Sequence, residues 1–411
     1  MKSNLSKPLF KKKIEIKGPC LFLVGPIGTF FARLLKYLDN KNVKTYKVLF
    51  PLHEFGFNES KLIRFSGEIK DFKEFLRKII IEKKIKHIFM YGNVLIPHRQ
   101  AIELVETFRS AGTEIHSHIF ELGYFRPNFV TIEGKGVNYK SDFILGKEFF
   151  DKQIPYEILP EASSKGMRFR KIWKGITFVN HSFRKYKIVD FDHKLQPKPI
   201  YLWFQIKGFL LNHLFRITEY KLKKKLMSSI PFFIVILQVS SDSQLTQGSN
   251  FEDNSGFIYK VIKDFAAAKL ENINLIFKHH PRDRGYENYS RDIKSFAKEF
   301  NLTDKVFYIH DYFLSKLFQN SKCKGTILIN STVGYQSLFH SIPVKALGIA
   351  PYNIEGLTYQ NDLISFFRNP HVVDNLLFRK FYKYILENSQ INGNFDGFFP
   401  FEKVFVFESY D

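Results

Sequence analysis

The feature that most constrains this chain is a pattern written twice: short apolar runs alternating with longer segments of helical period. In the first half, strands are expected at residues 20–24, 45–50, 87–91 and 114–119, with helices at 29–39, 69–83 and 98–111. In the second half, strands are expected at 232–237, 274–277, 306–309, 325–329 and 344–347, with helices at 255–269, 286–300 and 332–340. A helix between successive strands provides the crossover that parallel pairing needs, so each half reads as a doubly wound α/β unit. At 411 residues with 45% hydrophobic content, the chain exceeds what one core accommodates. Two Rossmann-like domains are therefore expected, residues 1–190 and 230–370, with a basic, aromatic connector at 191–229 and a helical extension at 371–411.

The connector carries Trp203, Phe204, Phe209, Leu210, Leu211, Leu214 and Phe215, followed by Lys221, Lys223, Lys224 and Lys225. Two readings fit that composition: an interdomain helix packed on the core, or a helix lying in a membrane interface. Lys and Arg number 62 against 40 Asp and Glu, a net charge of +22, so polyanions are the expected partners. Nucleic acid is not among them, because the basic residues are scattered and no helix-turn-helix, zinc-finger or RNP signature is present. Cys20 and Cys323 lie far apart beside apolar runs, which excludes a disulfide framework or a zinc spacing. No His, Cys and carboxylate cluster with metal-ligand spacing is evident, and no metal or cofactor is expected. Residues 1–17 are basic without the apolar core of a signal peptide, and no later stretch supplies about 18 uninterrupted apolar residues. A cytoplasmic protein that does not cross the membrane is expected.

In open α/β sheets ligands bind beyond the carboxyl ends of the strands, so polar residues just after the apolar runs are the candidates. Gly25 and Gly28 follow the first strand and open a helix, either as a ligand-approaching loop or as a plain tight turn. Glu121 ends the last strand of the first half, with Arg126 five residues on. In the second half, Asp242 follows the first strand through a polar stretch. His280 and Pro281 leave the next strand among Lys278, Arg282 and Arg284, donors suited to a phosphate that gains charge as a sugar departs, or else a solvated basic turn. Asn330, Ser331 and Thr332 sit between a strand and a helix, where they either cap the helix or turn amides toward a phosphate. Transfer at an anomeric carbon needs carboxylates, and Asp242 and Glu121 can serve as nucleophile and acid/base; an N-cap and a salt bridge are their ordinary alternatives.

Taken together, the segments Glu121–Pro127 with 131–133 and 136–138, 237–244, 277–285, 329–334, and 343–348 with 356–358 resemble the bacterial capsule polysaccharide biosynthesis and export proteins of the KpsS/LipB type. The resemblance spans residues 25–370 and implies a GT-B fold, two Rossmann-like domains facing an interdomain cleft. It further implies a β-Kdo transferase that uses CMP-Kdo as donor, with retention, and a lysophosphatidylglycerol-type acceptor for the first Kdo of a capsule linker. The first domain would then be the acceptor side, with Gly25, Gly28 and Arg126 as candidates, and the second would bind the CMP-sugar. Carried over by residue, Asp242 matches the nucleophile, His280 the histidine at the donor phosphate, Ser331 and Thr332 the nucleotide-contacting pair, and Glu121 the acid/base position. Phe125, Asn128 and the pair Phe366 and Phe367 depart from the family pattern. A peripheral location on the inner membrane, beside other capsule-assembly proteins, follows from the same resemblance. The alternatives are a transferase that elongates a Kdo oligosaccharide and a non-catalytic export component.

Overall fold

The computed structural model describes residues 11–26, 28–49, 57–126, 128–155, 199–222, 224, 230–240 and 243–407. They form two compact units, the first made of residues 11–142 and 383–407, the second of 143–155 and 199–382.

The sheet of the first unit is built from β2 (Cys20–Phe22), β3 (Thr45–Leu49), β4 (Leu62–Arg64), β5 (His87–Tyr91), β6 (His116–Leu122), β7 (Phe129–Glu133) and β13 (Gln390–Asn392), in the order β13-β7-β6-β5-β2-β3-β4. From β6 to β4 the pairing is parallel. At the other edge β7 and β13 run antiparallel. Sequence periodicity missed these two strands, and the three-residue β4 at the opposite edge. Residues 123–128 are too few for a helical crossover, so the chain can only turn back on β6. Gly123 makes that turn possible, since a Cβ there would lie 2.4 Å from the Phe129 carbonyl oxygen. A separate parallel pair joins β1 (Ile14–Ile16) to β14 (Phe405–Phe407). The helix Phe30–Asp39 buries Phe30 and Phe31 in an aromatic cluster with Phe120, Phe395 and Phe399.

The second unit has one five-stranded parallel sheet of β8 (Phe232–Ile236), β9 (Asn274–Lys278), β10 (Val306–Ile309), β11 (Cys323–Leu328) and β12 (Val344–Ala346), ordered β10-β9-β8-β11-β12. β8 and β9 are buried at every position, β8 as a continuous apolar run and β9 as the run Leu275–Phe277 flanked by the buried polar residues Asn274 and Lys278. Cys20 and Cys323 are buried and unpaired on β2 and β11.

The division of the chain differs from the expected boundaries in two ways. The helix Pro199–Thr218 belongs to the second unit instead of forming a separate connector. In the stretch expected as a helical extension, 371–411, the described residues 371–407 are not one appended element: the unit boundary falls within the helix Asn375–Ser389, and β13 and β14 then complete sheets of the first unit.

Candidate functional site

In the second unit the chain runs outward from β8 through β9 and β10, then crosses back to β11 and β12, so the topological switch point lies between β8 and β11. Gln238 and Asn330 stand just past those strands, both buried. The Gln238 amide donates from Nε2 to Asn330 Oδ1 at 2.8 Å, while the Asn330 backbone N–H reaches Gln238 Oε1 at 3.4 Å. Asn254, at the start of its helix, bonds the Gln238 carbonyl at 2.9 Å and Tyr289 Oη at 3.0 Å. Asn330, expected to contact the donor, thus contributes its side chain to the frame of the crevice.

The His-Pro turn follows β9. His279 is buried, its Nδ1 2.6 Å from Tyr308 Oη, and burial followed by the neighbouring His310 pushes its pKa down to about 3, leaving a neutral ring. His280 is half-buried; its Nδ1 accepts from the Arg282 backbone N–H at 3.1 Å, which places the ring proton of the neutral tautomer on Nε2. The cations expected to work together are divided. Arg282 and Pro281 are exposed, whereas Lys278 is buried with Nζ 3.4 Å from the His279 carbonyl oxygen. Arg284 is ion-paired with Asp311 and reaches the Gly208 carbonyl. Asp283, which sequence reasoning passed over, is buried and accepts from the Ser240 backbone N–H at 2.5 Å, tying the turn to the loop after β8. Burial raises its pKa to about 6 against the opposing pull of the Ser240 bonds.

Beyond Asn330, the Ser331 hydroxyl accepts from the Val333 N–H at 3.3 Å at the start of the helix Val333–Phe339. Thr332 occupies the N-cap without a side-chain cap bond. Both side chains are half-buried at the carboxyl end of β11. The Tyr352 hydroxyl donates to the Ser331 carbonyl at 2.7 Å, and a Cβ on Gly334 would come within 2.3 Å of the Tyr352 ring. That glycine is what allows the tyrosine under the helix start.

In the first unit the switch point lies between β2 and β5. Glu121, penultimate in β6, is half-buried; its Oε1 accepts from the Tyr91 hydroxyl at 3.0 Å and the Leu122 N–H at 2.8 Å. Gly25 is buried, and Gly28 holds φ +112° ahead of the helix Phe30–Asp39. Arg126 is exposed, its Nε 3.3 Å from the Gly123 carbonyl oxygen.

Polar residues that sequence reasoning missed surround this second switch point. Lys47 is buried with Nζ on the Leu23 carbonyl oxygen at 2.5 Å. Asn93 and His98 are buried, and among the described residues Asn93 Oδ1 and His98 Nε2 have no hydrogen-bond partner. His98 Nδ1 donates to the Gly92 carbonyl at 3.0 Å, and burial pushes its pKa down to about 3, with Lys47 adding to the effect. The sequence signal for Asn93 was its position two residues after the end of β5. Asp242 lies outside the described residues. Among those described, no group of three or more His, Cys, Asp or Glu is placed to hold a metal ion.

The fold defines an α/β protein with two Rossmann-like units, each carrying polar residues at a switch point. Residues 93–396 match the family model described as "Capsule polysaccharide biosynthesis protein", and the chain belongs to that family. It is 33% identical to the "Capsule polysaccharide modification protein LipB" of Neisseria meningitidis serogroup B over 98% of both chains. It is 29% identical to the "Capsule polysaccharide export protein KpsS" of Escherichia coli over 90% of this chain and 95% of that one. Among solved structures, the Thermosulfurimonas dismutans "KpsC, beta Kdo 2,7 transferase" aligns over 89% of each chain at 12% identity, with a TM-score of 0.41.

Proposed function

We propose that this protein is a glycosyltransferase of capsule biosynthesis that transfers Kdo from CMP-Kdo, with retention, to a lysophosphatidylglycerol-type lipid and so starts a poly-Kdo linker. It works at the cytoplasmic face of the inner membrane with other capsule-assembly proteins, and needs no metal or cofactor beyond its donor substrate. The observation that carries the reading is the His-Pro turn: beside the switch point of the second unit, His280 has Nδ1 engaged by the Arg282 amide, so that Nε2–H is the donor for a phosphate oxygen. Family membership supplies the capsule context.

In this mechanism the Asp242 carboxylate attacks the anomeric carbon, and the carbon–oxygen bond to CMP breaks with its electron pair remaining on the phosphate. His280, Arg282, Ser331 and Thr332 take up the phosphate charge and the nucleotide. The acceptor hydroxyl then attacks the same carbon, gives up its proton to a general base and releases Asp242. Two inversions give net retention.

The test is incubation of the purified protein with CMP-Kdo made in situ and a panel of lysophospholipids, read by mass spectrometry. One added Kdo on lysophosphatidylglycerol is expected. Extension of a Kdo-terminated acceptor with every lysolipid left unmodified would move the function to linker elongation.

A further inference from the structure

The helix Pro199–Thr218 has two apolar faces, and among the described residues only one packs inside the second unit. Phe204, Gly208, Leu211, Phe215 and Glu219 recur every three to four residues and face inward, half-buried or buried. Phe204 packs on Tyr286 with ring centroids 4.9 Å apart, and Phe215 stacks on His310 at 3.7 Å. Glu219 accepts from His310 Nδ1 at 2.5 Å and from its backbone N–H at 3.0 Å. At Gly285 a Cβ would clash with the Phe204 carbonyl oxygen, so the helix backbone lies directly on the turn that carries His280.

The outer face is also apolar. Trp203, Phe209, Leu210 and Ile217 are 58%, 63%, 59% and 77% exposed, with Leu214 and Tyr220 beside them at 50% and 64%. An apolar stripe of this size costs free energy in water and marks an interaction surface. Its surroundings identify the partner. Lys207, Arg216, Lys221 and Lys224 are exposed on the same segment, and its sole acid, Glu219, is turned inward against His310. Large apolar side chains with long cations and no outward acid suit an anionic lipid surface, where the rings enter the acyl boundary and the cations meet headgroups. No helix among the described residues is long and apolar enough to cross a membrane.

We propose that the outer face of the helix Pro199–Thr218 docks the second unit on an anionic bilayer, which seats the His280 turn, through the helix's inner face, next to the lipid surface. The purpose of such docking rests on the lipid-directed reading above, but the contact itself can be tested without it.

The full-length protein is sedimented with phosphatidylcholine vesicles, with or without phosphatidylglycerol, at low and high salt. Binding to the phosphatidylglycerol vesicles, weakened by salt, is expected. The triple variant Phe209→Gln, Leu210→Gln, Ile217→Gln should bind at least about tenfold more weakly. The quadruple variant Lys207→Gln, Arg216→Gln, Lys221→Gln, Lys224→Gln should lose the salt dependence. Circular dichroism confirms that each is folded. Unchanged binding in the folded triple variant overturns the proposal, as does failure of the wild type to bind anionic vesicles. A dimer that the triple variant dissolves would assign the face to a second copy instead. Transfer to detergent-dispersed lysolipid is measured in parallel: a protein that docks without transferring Kdo refutes the enzymatic reading alone, and one that transfers without docking refutes this inference alone.

Discussion

The side-chain amides of Gln238 and Asn330 bond to each other across the point where the sheet of the second unit reverses its strand order, Nε2 to Oδ1 at 2.8 Å. Both are buried, so the bond fixes the two strand ends that frame the candidate donor site. Gln238→Ala leaves Asn330 Oδ1 without this donor and should cost about 1–3 kcal/mol, seen as a lower urea midpoint. A double-mutant cycle with Asn330→Ala should show non-additivity, because either substitution alone removes the same bond. Strictly additive losses would mean that the two amides act independently.

Chemistry at the second unit is tested by two substitutions. Asp242→Asn should abolish Kdo transfer with folding intact, since the amide keeps the shape but cannot act as an anionic nucleophile. His280→Ala should lower the rate roughly 10²–10³-fold, the scale seen on removing one donor to a developing oxyanion. Steady-state turnover with CMP-Kdo checks both; near-wild-type activity in Asp242→Asn would remove that residue from the mechanism.

Much of this architecture was readable from local pattern. β5 and β10 coincide with their apolar runs, and the other expected strands differ by a few residues at their ends. β4 escaped because three residues are too few to show a period, and the other strands that escaped depend on distant partners. β13 joins β7 through residues more than 250 positions away: Gln390 accepts from the Tyr124 N–H at 2.8 Å and donates to Thr131 Oγ1 at 2.9 Å. No local periodicity encodes such a return. The site was legible in position and less so in role. Lys278 and Arg284 stand at the strand end where they were expected, yet one is buried and the other is paired with Asp311, a partner that sequence spacing does not reveal. Lys47, Asn93 and His98 were overlooked for the same reason, because burial of a polar side chain is a property of the packed sheet.

Acid should destabilise the protein through its buried histidines. Burial, as the leading cause in each, pushes His87, His98 and His279 down to about 3. His116 and Lys86 add to the effect at His87, as Lys47 does at His98. Folded pKa values below the unfolded 6.5 mean that the unfolded chain binds more protons between those limits. This contribution is therefore complete above about pH 6.5 and is lost as pH falls toward 3, at up to about 1.4 kcal/mol per pH unit for each ring. Urea midpoints should drop from pH 7 to pH 5, and His98→Gln, which can still donate to the Gly92 carbonyl, should reduce the slope. Parallel slopes in variant and wild type would remove His98 from the effect.

Glu133 predicts a pH effect of the opposite sign. It is buried on β7, its Oε2 accepting from the Ser141 hydroxyl at 2.6 Å and the Asp142 N–H at 2.9 Å. Burial raises its pKa from 4.5 to about 8 although those bonds favour the ionised form, and the nearby Asp142 charge adds to the rise. The folded protein thus keeps this carboxyl protonated at neutral pH while the unfolded chain ionises it. A raised folded pKa gives a contribution fully present below about pH 4.5 and lost as pH climbs through 8, so the slope opposes that of the histidines where the windows overlap. Comparing wild type with Glu133→Gln isolates it, because the amide oxygen can accept both bonds and never ionises. Stability measured by urea unfolding at pH 5 and pH 8 should show the variant gaining on wild type as pH rises, by up to about 1.4 kcal/mol per unit. A difference that stays constant across that range would mean that Glu133 ionises alike in the folded and unfolded chains.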